Sequence, residues 1–218
     1  MKTNILQPYR ALVFDFDLTL ADASAWIVQS FQTVLRANGY DDVDDEACRR
    51  TIGMTLEDAF VVLTGRSCVD DEVWRMKQEY IAVCRPKIAE HTTFYPEALF
   101  FLQRMREEGK RLAIVSTKMA SVIRQTLERY DMSSWFDVIV GGEDVTQHKP
   151  DPTGLLCAME RLGVGKEETL YFGDNVIDAQ TAVNAGVDYV GTLTGVHTRA
   201  ELEAYPHVAV VQHLEHLL

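Results

Sequence analysis

The chain has 218 residues, 47% of them hydrophobic and 25% charged, with a formal net charge of −12. That length holds one large domain, or one domain with a smaller one inserted, and it can bury a full core. The charge argues against nucleic acid as a partner, because phosphate backbones recruit basic patches; no apolar run approaches the roughly 18 residues of a membrane span, so no membrane partner is expected either. Met1-Lys2-Thr3-Asn4 leads into no signal-peptide core, and the chain reads as cytoplasmic. Cys48, Cys68, Cys84 and Cys157 lie far apart with no Cys-x-x-Cys spacing, which predicts buried thiols rather than disulfides or a sulfur-ligated zinc. Oligomeric state is not legible. An anionic substrate would have to be attracted locally, by a few lysines or arginines, backbone N–H groups or a metal.

Ala11 to Phe14 is an apolar run with the length of a buried strand. It stops at two carboxylates, Asp15 and Asp17, which would share a face if strand geometry persisted. After Leu20 the pattern turns helical. Asp22 or Ser24 is the candidate cap of a helix reaching about Asn38, with Gly39 as its stop. A turn rich in Asp precedes a short helix over Asp45 to Arg50, and Thr55 with Asp58 caps a helix ending at Gly65. Asp70 to Ala89 is periodic and charged, with Pro86 kinking or ending it.

From Thr93 helices and strands alternate. The helices are Pro96 to Glu108, Lys118 to Tyr130, Pro152 to Leu162 and Val176 to Ala185. The strands are Leu112 to Val115, Val138 to Val140, Thr169 to Phe172, Val187 to Val190 and Val208 to Val211, with a helix between the last two. This order predicts an α/β fold: a doubly wound parallel sheet, Rossmann-like, with an inserted all-helical cap. The expected core is 1–20 with 93–218, and the expected cap is 21–92.

Ligands of open parallel sheets bind beyond the carboxyl ends of the strands. There the chain places Asp15, Asp17 and Thr19; Ser116, Thr117 and Lys118; Lys149; and Asp174, Asn175 and Asp178. Each has a plain structural alternative, as a helix cap or a surface lysine, but four successive strand ends carry them together. The set fits magnesium-dependent phosphoryl transfer. Hard cations take oxygen ligands, commonly one or two carboxylates. Asp15 and Asp174 are the natural pair, with Asp178 supporting. Asp15 would attack phosphorus. Asp17 would protonate the leaving alkoxide and then activate water, which needs a raised pKa such as a crowded anionic site supplies. Ser116 and the N–H groups opening its helix would cradle phosphate, with Thr19, Thr117 and Lys118 also facing substrate. Lys149 supplies a point charge, and Lys118 competes for that role.

Asp15-Phe16-Asp17-Leu18-Thr19-Leu20, Ser116, Lys149-Pro150 and Gly173-Asp174-x-x-x-Asp178 resemble the four motifs of the haloacid dehalogenase-like hydrolases. More narrowly the chain resembles the phosphoglycolate phosphatase-like branch with a helical cap. The resemblance implies Asp15 as nucleophile, Asp17 as acid and base, Ser116 and Lys149 as phosphate holders, and Mg²⁺ on Asp15, the backbone carbonyl of Asp17, and Asp174. Leu18 stands where Gly is usual and Asn175 where Ser or Thr is common. Asp17 argues against the dehalogenase members. The expected activity is hydrolysis of a small phosphorylated metabolite, phosphoglycolate-like. A phosphomutase of the β-phosphoglucomutase type and a non-catalytic binding module are the alternatives.

Arg49, Arg50 and Thr51-Ile52-Gly53-Met54 read either as a specificity loop over the phosphate or as a polar helix end. Trp26, Trp74 and Trp135 read as packing residues, and His213 with His216 as surface.

Overall fold

The strand β1 (Ala11–Phe14) is buried along its whole length, and its alternate residues serve opposite faces of one sheet. The computed structural model describes residues 5–218; the signal-peptide expectation at Met1–Asn4 lies outside them. The chain continues through β2 (Ala21–Asp22), α1 (Ser24–Ala37), α2 (Asp45–Arg50), α3 (Leu56–Thr64), α4 (Asp71–Cys84), β3 (Thr93–Phe94) and α5 (Pro96–Glu107). Then come β4 (Arg111–Val115), α6 (Ala120–Arg129), β5 (Val138–Val140), α7 (Thr153–Leu162), β6 (Thr169–Gly173), α8 (Val176–Ala185), β7 (Asp188–Thr192), α9 (Arg199–Glu203) and β8 (Ala209–Val211).

Among the described residues the large sheet has six strands in the order β5-β4-β1-β6-β7-β8, every adjacent pair parallel. Leu12 and Phe14 point toward α5 and α6, where Phe101, Leu102, Ile123 and Leu127 meet them. Ala11 and Val13 point toward α7 and α8, where Leu155, Ala158, Ala179 and Ala182 let the helices sit close. Burial on both faces is why the strands read as continuous apolar runs rather than alternating ones. This is the Rossmann-like α/β fold the alternation predicts.

The register positions the site. Phe14 pairs with Ile114 on one side and Phe172 on the other, and the Phe14 and Phe172 rings stack with centroids 4.6 Å apart. The carboxyl ends of β1, β4 and β6 therefore finish level, and the residues just beyond them share one rim.

Helices α1 to α4 pack around a second apolar cluster that includes Phe31, Leu35, Phe60, Val73, Met76 and Tyr80. The chain leaves for them at β2 and returns at β3, and these two strands pair antiparallel, Ala21 with Phe94 and Asp22 with Thr93. Two-residue strands show no alternation in sequence, so the periodicity gives no sign of this clasp.

Several boundaries move. Neither Asp22 nor Ser24 is the N-cap of α1; Ala23 is, while the Asp22 carboxylate accepts the Ser24 N–H at 2.7 Å. Helix α4 stops at Cys84 rather than Ala89, because Pro86 removes a donor and crowds the preceding turn. Helix α6 begins at Ala120, not Lys118, since Met119 is extended. Cys48 and Cys84 are buried as expected, but Cys68 is exposed and Cys157 half-buried. Trp26 packs, stacking on His91 at 4.3 Å, whereas Trp74 is 64% exposed rather than a packing residue. Among the described residues no helix is long and apolar enough to cross a membrane.

Candidate active site

Asp15 directly follows β1, and its backbone N–H extends the ladder to the Phe172 carbonyl at 2.8 Å. Its side chain is buried, with Oδ1 2.7 Å from Lys149 Nζ. The same ammonium donates to Asp178 Oδ1 at 2.7 Å and to the Tyr171 hydroxyl at 3.2 Å. Tyr171 donates in turn to Asp178 Oδ1 at 2.9 Å. Asp178 Oδ2 accepts the Asn175 N–H at 3.2 Å, so this carboxylate is held on both oxygens.

Asp174 follows β6. Its Oδ1 accepts the buried Thr19 hydroxyl at 2.8 Å. Its other oxygen lies against Gly195, where a Cβ would come within 1.9 Å of it. Gly173 is needed for the same reason: a Cβ there would lie 2.3 Å from the Asp178 side chain. One oxygen from each of Asp15, Asp174 and Asp178 falls within 4.8 Å of the others, and all three residues are buried.

Like charges at that separation repel by roughly 3–4 kcal/mol at an effective dielectric near 20, so one ammonium does not balance three carboxylates. Burial, then Asp178 and Asp15, push the Asp174 carboxyl well above its usual range. Asp15 is also raised, by burial against the opposing pull of Lys149. Lys149 itself is held well above the usual lysine value: burial disfavours its charge, but Asp15 and Asp178 outweigh that. Three clustered oxygen donors with surplus negative charge fit a hard divalent cation.

Asp17 stands apart from that cluster. Both of its oxygens lie 2.8 Å from Lys118 Nζ, and the two side chains are about nine-tenths buried. Its carboxyl is raised, as expected, but by burial first; Lys118 opposes the shift and Asp15 adds only a smaller push. The two lysines that competed in sequence thus serve different carboxylates.

The expected phosphate cradle is only partly available. Ser116 is buried at the rim, but its N–H donates to the Val140 carbonyl at 3.1 Å. The first N–H groups of α6, on Ala120 and Ser121, donate to the Glu143 carboxylate at 2.9 and 3.4 Å, so they do not point at substrate. Thr19 faces Asp174, and the Thr117 hydroxyl donates to the Gly53 carbonyl at 3.2 Å. Asn175 Nδ2 reaches the Ile52 carbonyl at 3.3 Å. The turn Thr51–Met54 is therefore fastened to the sheet rim, while Arg49 binds Ser24 and Arg50 binds Glu46 within the helical block.

Leu18 has φ +62°, the left-handed conformation that glycine takes without cost. That conformation costs a non-glycine residue roughly 1–2 kcal/mol. Leu18 is 1% exposed and joins the cluster of α1 to α4, and burying a leucine side chain returns about 1.5–3 kcal/mol. The side chain ties the loop to the helical block. Its carbonyl accepts the Thr194 hydroxyl at 2.5 Å. Tyr171, Glu143, Thr194 and Gly195 were missed in sequence. Of these only Tyr171 leaves a signal, since a tyrosine inside an apolar strand needs a partner for its hydroxyl.

The sequence profile of the haloacid dehalogenase-like hydrolases matches residues 12–192. The chain belongs to that family. A phosphoglycolate phosphatase from Rhodobacter capsulatus is 32% identical over 201 residues, covering 91% of this chain and 90% of its own. Pyrophosphatase PpaX from Bacillus velezensis is 29% identical, covering 95% of this chain and 94% of its own. A crystal structure from Bacteroides fragilis, provisionally described as a haloacid dehalogenase-like hydrolase, matches at 42% identity with a TM-score of 0.93, covering 96% of this chain and all of the other. The family resemblance holds, and this haloacid dehalogenase-like hydrolase is an enzyme of the phosphatase class.

Proposed function

We propose that the chain is a magnesium-dependent phosphatase that hydrolyses a small phosphorylated metabolite through a phosphoryl group carried on Asp15. The observation that carries this reading is the position of Lys149: one ammonium spans Asp15 and Asp178 at 2.7 Å each, beside an Asp174 whose charge it cannot balance. Asp15 and Asp174 are the residues to hold the ion, with the Asp17 backbone carbonyl, and Asp178 supports from its own saturated hydrogen bonds. When bound, a divalent cation offsets the repulsion between a carboxylate nucleophile and an anionic phosphate.

An Asp15 oxygen attacks phosphorus while the bond to the leaving oxygen breaks. The Asp17 carboxyl gives its proton to that oxygen and the alcohol departs. Water then attacks the phosphorus, Asp17 takes a proton from it, and inorganic phosphate leaves with Asp15 regenerated. Lys149 and the Ser116 hydroxyl face the transferred group, and Lys118 keeps Asp17 aimed. Residues 21–92 act as the cap that covers the site. Relatives named as phosphoglycolate phosphatases make phosphoglycolate the reference substrate.

The test is phosphate release from a panel of phosphorylated metabolites. Asp15→Asn should abolish turnover with an unchanged melting temperature, because the amide is nearly isosteric but cannot attack phosphorus. Chelation with EDTA should abolish activity and Mg²⁺ restore it; full activity in excess chelator would remove the metal from the reading. In ¹⁸O water the released phosphate should carry solvent oxygen. Isomerisation of β-glucose 1-phosphate faster than phosphate release would replace the hydrolase with a mutase.

A further inference from the structure

Beyond Asp17 a cleft of about 160 Å³ runs between the rim of the sheet and helices α1, α3 and α4. An engineered apolar cavity of about 150 Å³ is known to hold benzene. Ile27, Phe31, Met54, Ile88 and Val122 contribute to its walls, and the buried pair Asp17 and Lys118 lines it as well. Lys118 is already committed to both oxygens of Asp17, and the other basic residue on the lining, Arg85, is exposed. No further charged side chain lines it among the described residues. A carboxylate on the departing alcohol would lose hydration here with no unengaged buried cation to receive it, which is strongly unfavourable. A hydrocarbon of matching size would gain with each methylene.

We propose that the physiological leaving group is an uncharged, largely apolar alcohol of up to about six carbons, seated in this cleft, and that carboxylated esters such as phosphoglycolate are poor substrates. The inference rests on the phosphatase reading, since Asp17 on the lining of the cleft is the group that protonates the departing oxygen. The reaction balances as phosphate monoester plus water giving alcohol plus inorganic phosphate.

The experiment measures phosphate release by the full chain with Mg²⁺ from ethyl, butyl, hexyl and phenyl phosphate, phosphoglycolate, glucose 6-phosphate and acetyl phosphate. The expected kcat/KM rises about fourfold per methylene from ethyl toward hexyl. Phosphoglycolate should fall at least about tenfold below butyl phosphate, the direction set by burying an unpaired carboxylate. Ile81 lines the cleft from the last turn of α4, where a cation suits the helix dipole, so Ile81→Lys should reverse that order between butyl phosphate and phosphoglycolate. Phosphoglycolate or glucose 6-phosphate as the best substrate, with acetyl phosphate also cleaved, would overturn the apolar leaving group and leave the phosphatase reading standing. Absence of phosphate release from every ester would overturn both. The wild-type series decides the matter even if the Ile81 variant does not fold.

Discussion

Lys118 sets its ammonium 2.8 Å from each carboxylate oxygen of Asp17, across 101 residues of chain, in a nearly buried pair. Lys149 makes no hydrogen bond to Asp17; it bridges Asp15 and Asp178. Removing either lysine strips a cation from the site, but the two losses differ in kind.

Lys149→Met should lower kcat by about 10²–10³, the range for removing a donor aimed at developing charge in a shielded site. Lys118→Met should act through Asp17 alone. The double variant Asp17→Asn/Lys118→Met should then be no slower than Asp17→Asn, because the lysine has nothing left to orient. Steady-state kinetics on the four proteins checks this. Additive losses would mean that Lys118 contacts substrate directly.

The Thr19 hydroxyl holds Asp174 at 2.8 Å in a buried bond. Thr19→Val keeps the volume and removes the donor. Partners that orient a metal ligand typically contribute 10–100-fold to metal affinity. The Mg²⁺ concentration for half-maximal activity should therefore rise by about that factor, with little change in kcat at saturating metal. A fall in kcat that no Mg²⁺ concentration restores would place Thr19 against substrate instead.

Asn175 and Thr117 each fasten the turn Thr51–Met54 to the sheet rim, through the Ile52 and Gly53 carbonyls. A hydrogen bond of this kind contributes about 1 kcal/mol net. Thr117→Val and Asn175→Ala should loosen the turn, and the second also removes the cap of α8, worth about 1 kcal/mol more. Hydrogen exchange at residues 51–54 should accelerate roughly fivefold per lost bond. Unchanged protection in both variants would show that packing alone holds the turn.

His197 carries a buried Nδ1 with no hydrogen-bond partner among the described residues. Burial holds its pKa below the usual value; Glu201 opposes this and Arg50 reinforces it. The folded protein therefore binds fewer protons here than the unfolded chain does. The contribution is fully present above about pH 6.5 and is lost as pH falls through the depressed folded value. The drop in melting temperature from pH 7.5 to 5.5 should be smaller in His197→Gln than in the wild type. Equal drops would show that His197 keeps an ordinary pKa.

The sheet, its order of elements and the rim residues were legible in sequence because each depends on local information. A strand buried on both faces reads as an apolar run, an alternating helix pattern implies parallel pairing, and parallel pairing sends every strand's carboxyl end to one rim. Asp15, Asp17 and Asp174 follow from that rule, whereas Lys149 lies well past the end of β5, beyond Gly141 and Gly142, and stands out only together with the others. What sequence could not decide is which of these groups touches which. Lys118 and Lys149 look alike along the chain, and only the packed structure assigns one to Asp17 and the other to Asp15. The clasp of β2 with β3, the capture of the first N–H groups of α6 by Glu143, and the approach of Gly195 to Asp174 are all long-range or too short to leave a period. Leu18 shows the difference most directly. Its residue type argues against a left-handed turn, and it adopts one because α1 to α4, lying elsewhere in the chain, supply the apolar surface that offsets the strain.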